Sequence, residues 1–167
     1  RETTGFPGMK VLQFAFDPEG DSIELPHNHR NNVAAYTGTH DNHTIKGWYE
    51  EEMVTKEARA FLDDYSNRRP DETINHTMLR MLFSSVAFMA IATMQDLLDL
   101  DASARMNLPN TLGGNWVWRM TAEQLTDQVE ENLLDLTRTY RRSNKKIMKN
   151  KKESITDNDW FTEIGKG

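Results

Sequence analysis

The segment 36–43, which reads Tyr-Thr-Gly-Thr-His-Asp-Asn-His, holds the side chains best suited to chemistry. It follows a short apolar run at 33–37, and Gly38 lets the backbone turn at the end of that run. Parallel sheets and barrels place their active sites at the carboxyl ends of strands. Asp41 beside His40 can accept hydrogen bonds from neighbouring hydroxyls or take part in proton transfer. An Asx turn that caps the next helix explains the same residues equally well.

Four histidines, His27, His29, His40 and His43, allow a second interpretation, a metal site. Imidazoles near a carboxylate are ligands that zinc and non-haem iron use. However, the first pair follows Pro26 in a polar loop, and the second pair lacks the spacing of a helical metal motif. We therefore expect no bound metal, and a metal-dependent hydrolase that uses this cluster is kept as an alternative.

A third cluster, at 105–119, mixes asparagines, glycines and the two indoles of Trp116 and Trp118. Flat aromatic faces and fixed amide donors suit the apolar faces and hydroxyl rims of sugars. Packing of a long loop is the alternative use of these rings. The sequence has no glycine-rich phosphate loop and no nucleophile elbow, so nucleotide binding and serine hydrolysis have no support.

Composition and charge exclude several classes of protein. The 167 residues suit about one domain, and the absence of cysteine excludes disulfides and thiolate chemistry. Residues 138–152 contain eight basic side chains and no acid, whereas residues 1–137 carry a net charge of −11. Because an acidic body repels phosphate backbones, we expect no nucleic-acid partner and interpret the basic run as a solvated helix end.

Neither membrane insertion nor secretion is indicated. The longest apolar stretch, 78–94, contains Arg80 and three hydroxyl side chains, whereas a membrane-spanning helix needs about 20 nearly uninterrupted apolar residues. The first residues, 1–5, have no apolar core and no initiator Met, so they resemble neither a signal peptide nor a natural start.

The elements that position these side chains alternate between strands and helices. Apolar patterns predict strands at 10–16, 33–37 and 87–94, although periodicity alone does not separate the third from a continued helix. This third run carries no charge and is interpreted as a strand buried on both faces.

Apolar residues at three- and four-residue spacing predict helices at 50–66, 72–85 and 122–141. Asp71 is the expected cap of the second helix, and a capping box at 121–124 begins the third. Alternating strands and helices favour an α/β fold with parallel strands. Since three parallel strands leave edges and faces uncovered, the chain is interpreted as the C-terminal piece of something larger.

Several motifs, in order and near the expected spacing, closely resemble one family. Together they resemble the 4-α-glucanotransferases (amylomaltases, glycoside hydrolase family 77) over about residues 3–142. The motifs are Phe6–Asp17, Leu25–Asn28, Tyr36–Asn42, Gly47–Trp48, Gln95–Leu98 and Arg105–Arg119.

The resemblance implies a (β/α)8 TIM barrel of the α-amylase type, with the predicted strands as barrel strands six, seven and eight. Residues 1–142 would be the C-terminal portion of the catalytic barrel. Residues 143–167 have no counterpart and form a polar tail, first basic and then acidic.

The resemblance also implies a retaining transfer of α-1,4-glucan segments to a glucose or maltooligosaccharide acceptor. In that chemistry two carboxylates form and resolve a covalent glycosyl-enzyme, and in this family a third carboxylate grips the donor sugar's 2- and 3-hydroxyls. By motif, Asp41 is that third acid and His40 its neighbour at the same sugar. The other expected substrate-binding residues are Asn42, Phe14, Asn107 and Trp48.

The nucleophile and the acid/base are expected upstream of Arg1, so we expect the isolated chain to be inactive and poorly soluble or molten. The implied enzyme is cytoplasmic, needs no metal or cofactor and has glucans as partners. A catalytically silent glucan-binding module is the alternative. Two departures stand out: the family usually has Asp where His43 stands and Gly where Asn110 stands, and Asn is the next best residue for a left-handed backbone.

Overall fold

Three short parallel strands form the sheet at the centre of the computed structural model, which describes residues 5–50 and 54–143. They are β1 (Gly8–Val11), β2 (Val33–Tyr36) and β3 (Met89–Ile91), hydrogen-bonded in that order. Both pairs are parallel, and Ala34 lies in register with Met9 on one side and Met89 on the other. The predicted α/β organisation with parallel strands is therefore confirmed.

Helices connect and cover the strands. The α-helices are α1 (Ile45–Glu50), α2 (Lys56–Ser66), α3 (Ile74–Ser84), α4 (Met94–Leu97) and α5 (Asp127–Thr139). Single 3₁₀ turns lie at Leu12–Phe14, Pro26–Asn28, Ala102–Ala104 and Ala122–Gln124. Among the described residues, no helix has the length and apolar character needed to span a bilayer.

The first predicted strand, 10–16, is wrong from Leu12 onward. Strand β1 ends at Val11, and the chain turns into a 3₁₀ helix at Leu12–Phe14. Leu12 and Gln13 are both buried, whereas successive side chains of a strand point to opposite faces. The turn thereby aims the Gln13 amide across the carboxyl end of the sheet.

The helix predicted at 50–66 is also wrong as a single element. Helix α1 ends at Glu50, and α2 begins only after Thr55, whose Oγ1 accepts a 3.1 Å hydrogen bond from the Ala58 backbone N–H. A hydroxyl that satisfies an orphan N–H is a strong start signal, and here it sets the start of α2.

Helices α3 and α5 begin at threonine caps that lie after the predicted helix starts. Thr73, not Asp71, caps α3 by accepting from the His76 N–H at 3.2 Å. The capping box at 121–124 closes a 3₁₀ turn, and Thr126 caps the α-helix that follows. The helix starts thus shift by two to five residues, and Leu125, which the sequence predicts to lie on the apolar face, precedes α5 and is exposed.

The third apolar run forms a strand, as predicted, but it is not buried on both faces. Val86, Phe88 and Met89 are exposed, and so is Met9 at the same level of β1. The opposite face of the sheet, with Val33 and Ala35, is buried against the helical layer. One face of the sheet is thus covered and the other is open.

Arg142, from the predicted basic run, is half-buried and bonds to backbone oxygens, whereas the sequence predicts a solvated helix end. Its guanidinium donates to the carbonyl oxygens of Phe83, in the last turn of α3, and of Ser85 and Ala87, just beyond its end. Orphan carbonyls at a helix end are satisfied in this way by a nearby cation. The basic residues from 144 onward lie outside the described residues.

The loop between β2 and α1 is fixed at both ends by the buried carboxylate of Asp96. Oδ2 accepts from the Thr37 hydroxyl at 2.6 Å, and Oδ1 accepts from the Ile45 backbone N–H at 2.8 Å. Asp96 is only 1% exposed, and this burial raises its pKa, against the bonds from Ile45, Thr37 and Thr93 that favour the ionised form.

A second buried carboxylate, Glu72, ties α3 to the end of α2. Its oxygens accept from Arg80 Nε at 2.8 Å and Nη2 at 3.0 Å, and the same guanidinium reaches the Ser66 carbonyl at 3.0 Å. The Arg80 hydrogen bonds outweigh desolvation and lower the Glu72 pKa to about 2. His76 lies 3.7 Å from the same carboxylate.

Replacing Thr37 by Val should destabilise the protein by about 2 kcal/mol, because it leaves Asp96 Oδ2 without its donor in a dry site. Thr37→Ser keeps the hydroxyl and is the matched control. Urea unfolding of the full-length wild-type protein and of the two variants measures the change in free energy of unfolding for each substitution. Equal stability of Thr37→Val and Thr37→Ser would show that the hydrogen bond contributes nothing.

The Glu72–Arg80 pair should make stability fall in acid. Because the folded-state pKa of about 2 lies below the usual 4.5, the ionised pair contributes its full stabilisation above pH 4.5 and loses it as pH falls through 2. The amount is about 3 kcal/mol. Unfolding measured from pH 6 to pH 2 should show this loss in the wild type and not in Glu72→Gln. The neighbouring Asp71→Asn, exposed at 71, should keep the wild-type profile.

Candidate functional site

The loop at 37–44 has a compact shape that is set by Asn42. Its Oδ1 accepts from both the backbone N–H and the hydroxyl of Thr39, at 2.9 and 2.8 Å. A Cβ at Gly38 would lie 2.7 Å from Gln13 Nε2, so any larger residue there would displace the Gln13 amide. Helix α1 is capped by Thr44, which accepts from the Gly47 N–H at 3.1 Å. Thr44, and not Asp41 or Asn42, is therefore the cap of α1, so the Asx-turn cap of the alternative is not formed.

The carboxylate of Asp41 stands at the carboxyl end of β2 and is open to solvent. Oδ1 accepts from Asn107 Nδ2 at 2.6 Å, and Oδ2 lies 3.4 Å from His40 Nε2. The side chains of Asp41 and His40 are 49% and 56% exposed. Two predicted neighbours, from segments 66 residues apart, thus orient one carboxylate.

Arg105 joins this loop to the segment that follows α4. Nη2 donates to the Asp41 carbonyl oxygen at 2.7 Å, and Nε donates to the Asn107 carbonyl oxygen at 2.9 Å. Nη1 donates to Nε2 of His43. The Asn107 N–H also donates to the His40 carbonyl at 3.1 Å. The guanidinium therefore holds the backbone on both sides of the Asp41–Asn107 contact.

Trp116 supplies an aromatic surface beside His40. The two ring centroids are 5.0 Å apart, and the indole is 53% exposed. A left-handed backbone at Trp116 (φ 62°) and at Asn110 (φ 63°) shapes this segment, so Asn110 does adopt the conformation expected of it. A hollow of about 180 Å³ lies between the His40 and Trp116 loops; His43 and Arg105 also line it, but Asp41 does not.

Phe14 and Trp48 lie on the neighbouring side of the same sheet edge. Phe14 is 61% exposed, whereas Trp48 is half-buried against Phe16, with ring centroids 6.3 Å apart. Both line an open cleft of about 660 Å³. Gln13, next to Phe14, donates to the His43 carbonyl at 2.8 Å, which links this cleft to the Asp41 loop.

The structure does not bring the four histidines of the metal alternative together. His27 pairs with the Tyr65 hydroxyl at 2.9 Å, and His29 Nε2 lies 2.9 Å from the Glu24 carbonyl, before β2 begins. Burial lowers the pKa of His29. His40 and His43 follow β2 instead. Within 5–50 and 54–143, no three His, Asp or Glu side chains are placed to hold a metal ion.

Two residues of this site lie in motifs of the sequence that did not indicate their roles. Arg105 and Asp96 were visible only as members of the 105–119 and 95–98 motifs. The partners through which they hold the Asp41 loop are more than 50 residues away along the chain, so no local spacing indicates these contacts.

Comparison with known proteins identifies the family. A family profile described as 4-alpha-glucanotransferase matches residues 1–126. The 4-alpha-glucanotransferase of Streptococcus pneumoniae (strain TIGR4) is 60% identical over 152 residues, which cover 91% of this chain and 30% of that protein. The Clostridium butyricum enzyme of the same name is 42% identical over 142 residues, covering 85% and 29%.

The fold comparison agrees with the sequence comparison. An amylomaltase from Streptococcus agalactiae, solved in complex with acarbose, matches with a TM-score of 0.82 and 49% identity. The match covers 86% of this chain and 29% of that one, so the chain spans about 30% of the length of the relatives it matches. The resemblance carried by the motifs is confirmed: this chain belongs to the 4-alpha-glucanotransferase family.

Proposed function

We propose that the chain forms the C-terminal part of the catalytic barrel of a 4-alpha-glucanotransferase. The family match and the coverage of about 30% of its relatives support this assignment. In this proposal β1, β2 and β3 are barrel strands six, seven and eight. Residues 1–142 belong to the barrel, and 143–167 form a polar tail. The open face of the sheet is the side that the remaining strands cover.

The observation that carries the proposal is the setting of the Asp41 carboxylate. It is half-exposed at the carboxyl end of a parallel strand, where this class of fold places its chemistry. Asn107 and His40 orient it and leave lone pairs free, since a carboxylate has about four acceptor sites. Two adjacent sugar hydroxyls present the matching pair of donors.

The reaction is the retaining transfer of an α-1,4-glucan segment to glucose or a maltooligosaccharide. A carboxylate nucleophile attacks the anomeric carbon while a general acid protonates the departing glycosidic oxygen. The acceptor hydroxyl then attacks the glycosyl-enzyme and gives its proton to the same acid/base residue. We place both of these carboxylates in the remainder of the longer protein. Asp41 is the third acid, whose hydroxyl contacts tighten as the ring flattens.

The other site residues have distinct roles in this proposal. His40 binds the same sugar as Asp41, and Asn107 both orients Asp41 and faces the acceptor side. The exposed ring of Phe14 stacks on the acceptor, with Trp48 as the wall behind it. Asn42 acts through the shape of the loop.

The carbohydrate ligand has independent support. The Streptococcus agalactiae amylomaltase that shares this fold was solved with acarbose. The half-exposed indole of Trp116 beside His40 offers the flat surface that a sugar ring needs. The proposed reaction needs no cofactor, and a cytoplasmic location stays a prediction from the family resemblance.

Replacing Asp41 by Asn in the full-length enzyme should lower kcat on maltotriose by at least about 100-fold. The hydroxyl contacts contribute several kcal/mol in the transition state, and each 1.36 kcal/mol is tenfold in rate. Glucose release measures turnover. Circular dichroism should show an unchanged fold, because the side chain is half-exposed.

Asp135→Asn, which removes the same charge from the exposed surface of α5, is the control and should keep wild-type turnover. Wild-type kcat in Asp41→Asn would refute the assigned role. A wild-type full-length protein that binds maltooligosaccharides in calorimetry but does not disproportionate them would establish the silent glucan-binding module instead.

A further inference from the structure

Arg105 uses all three of its nitrogens to join the Asp41 loop to Asn107. Nη2 donates to the Asp41 carbonyl at 2.7 Å, Nε donates to the Asn107 carbonyl at 2.9 Å, and Nη1 donates to His43 Nε2. None of these three acceptors carries a negative charge. The charge of Arg105 is therefore held here by neutral acceptors.

The contact with His43 has a chemical requirement. Arginine nitrogens always donate and stay protonated in proteins, so Nε2 of His43 must offer its lone pair. An imidazole can do so only in the neutral form, because both ring nitrogens of the cation are donors. A proton on Nε2 would take the lone pair that Nη1 uses and would set two cations against each other.

The ionisable side chains that the structure describes near His43 come from two segments. Its own loop brings the ionisable groups His40 and Asp41, and the facing segment brings Arg105. Thr93 and Gln95, which line the same hollow, are uncharged.

We propose that Arg105 is a positioning residue for Asp41, and that it fills this role only while His43 is neutral. The proposal rests on the proposed function insofar as Asp41 binds sugar. When His43 takes up a proton, Nη1 loses its acceptor and the guanidinium is repelled. The Asp41 and Asn107 carbonyls then lose the group that joins them, and the carboxylate loses its fixed direction. The result is a loss of activity at acid pH.

The first test compares the pH dependence of turnover in the full-length enzyme and in His43→Gln, whose side-chain oxygen is an acceptor that does not titrate. We expect kcat on maltotriose, followed downward from pH 7.5, to fall by about tenfold more in the wild type than in His43→Gln once His43 takes up its proton. His27→Gln, which removes an exposed imidazole from a distant loop, should keep the wild-type profile.

The second test asks whether Arg105 transmits this effect. Arg105→Met should lower kcat by about 10-fold or more at pH 7.5, with a smaller change in KM, since a mispositioned Asp41 weakens transition-state contacts. The additional acid-side fall should disappear in Arg105→Met. Arg105→Lys, which can still donate to a carbonyl, should recover part of kcat.

A measurement without turnover separates this inference from the proposed function. In nuclear magnetic resonance titrations, the backbone amide signals of Asp41 and Asn107 should shift together with the ring signal of His43 in the wild type. The part of these shifts that follows the His43 ring signal should be absent in His43→Gln. Coincident amide titrations in both proteins, or superimposable pH–rate profiles, would overturn the proposal. Coupled signals in an enzyme without transferase activity would refute the proposed function and leave the Arg105–His43 linkage standing.

Discussion

The site depends on the carboxylate of Asp96, which is buried and not itself accessible to a ligand. Asp96 reaches Thr37 at the end of β2 and the first N–H of α1 at Ile45, so it fixes both ends of the seven-residue segment between them. A charge in a dry interior is tolerated only when its lone pairs are satisfied, and each such bond therefore narrows the conformations open to the loop. The contacts of Asp96 thereby set the positions of the exposed residues His40 and Asp41.

Three separate segments converge on that anchored loop. Gln13 reaches it from the turn after β1, Arg105 and Asn107 reach it from the segment after α4, and Trp116 stacks on His40. The parallel arrangement explains this convergence, because all three strands end at the same edge of the sheet. Close packing helps to set the approach: a Cβ at Gly47 would lie 2.8 Å from Ala102 Cα, just before Arg105.

The sequence allowed some of this to be predicted and hid the rest. Periodicity located β2 well, and the order of residue types after it was enough to single out Asp41 and His40. Periodicity could not locate the 3₁₀ turn at Leu12–Phe14, because that turn buries Gln13 against a loop some 30 residues away. The run at 87–94 illustrates a different limit. Its apolar residues indicated burial on both faces of the strand, but among the described residues one face of the sheet is open. Hydrophobicity indicates that a surface is to be covered, but it does not identify the segment that covers it.

Three carboxylates in this chain show how environment divides one functional group among different tasks. Asp96 is buried among hydrogen-bond donors, and desolvation raises its pKa, so it acts as a structural acceptor. Glu72 is equally buried, but the Arg80 guanidinium holds its pKa at about 2, so it acts as half of an ion pair. Asp41 differs from both: Arg105 binds its backbone carbonyl, while Asn107, a neutral amide, binds its carboxylate. A guanidinium on the carboxylate would occupy the lone pairs that a polyol needs. Directing the cation to the main chain fixes the position of Asp41 and leaves its carboxylate available to accept from hydroxyls.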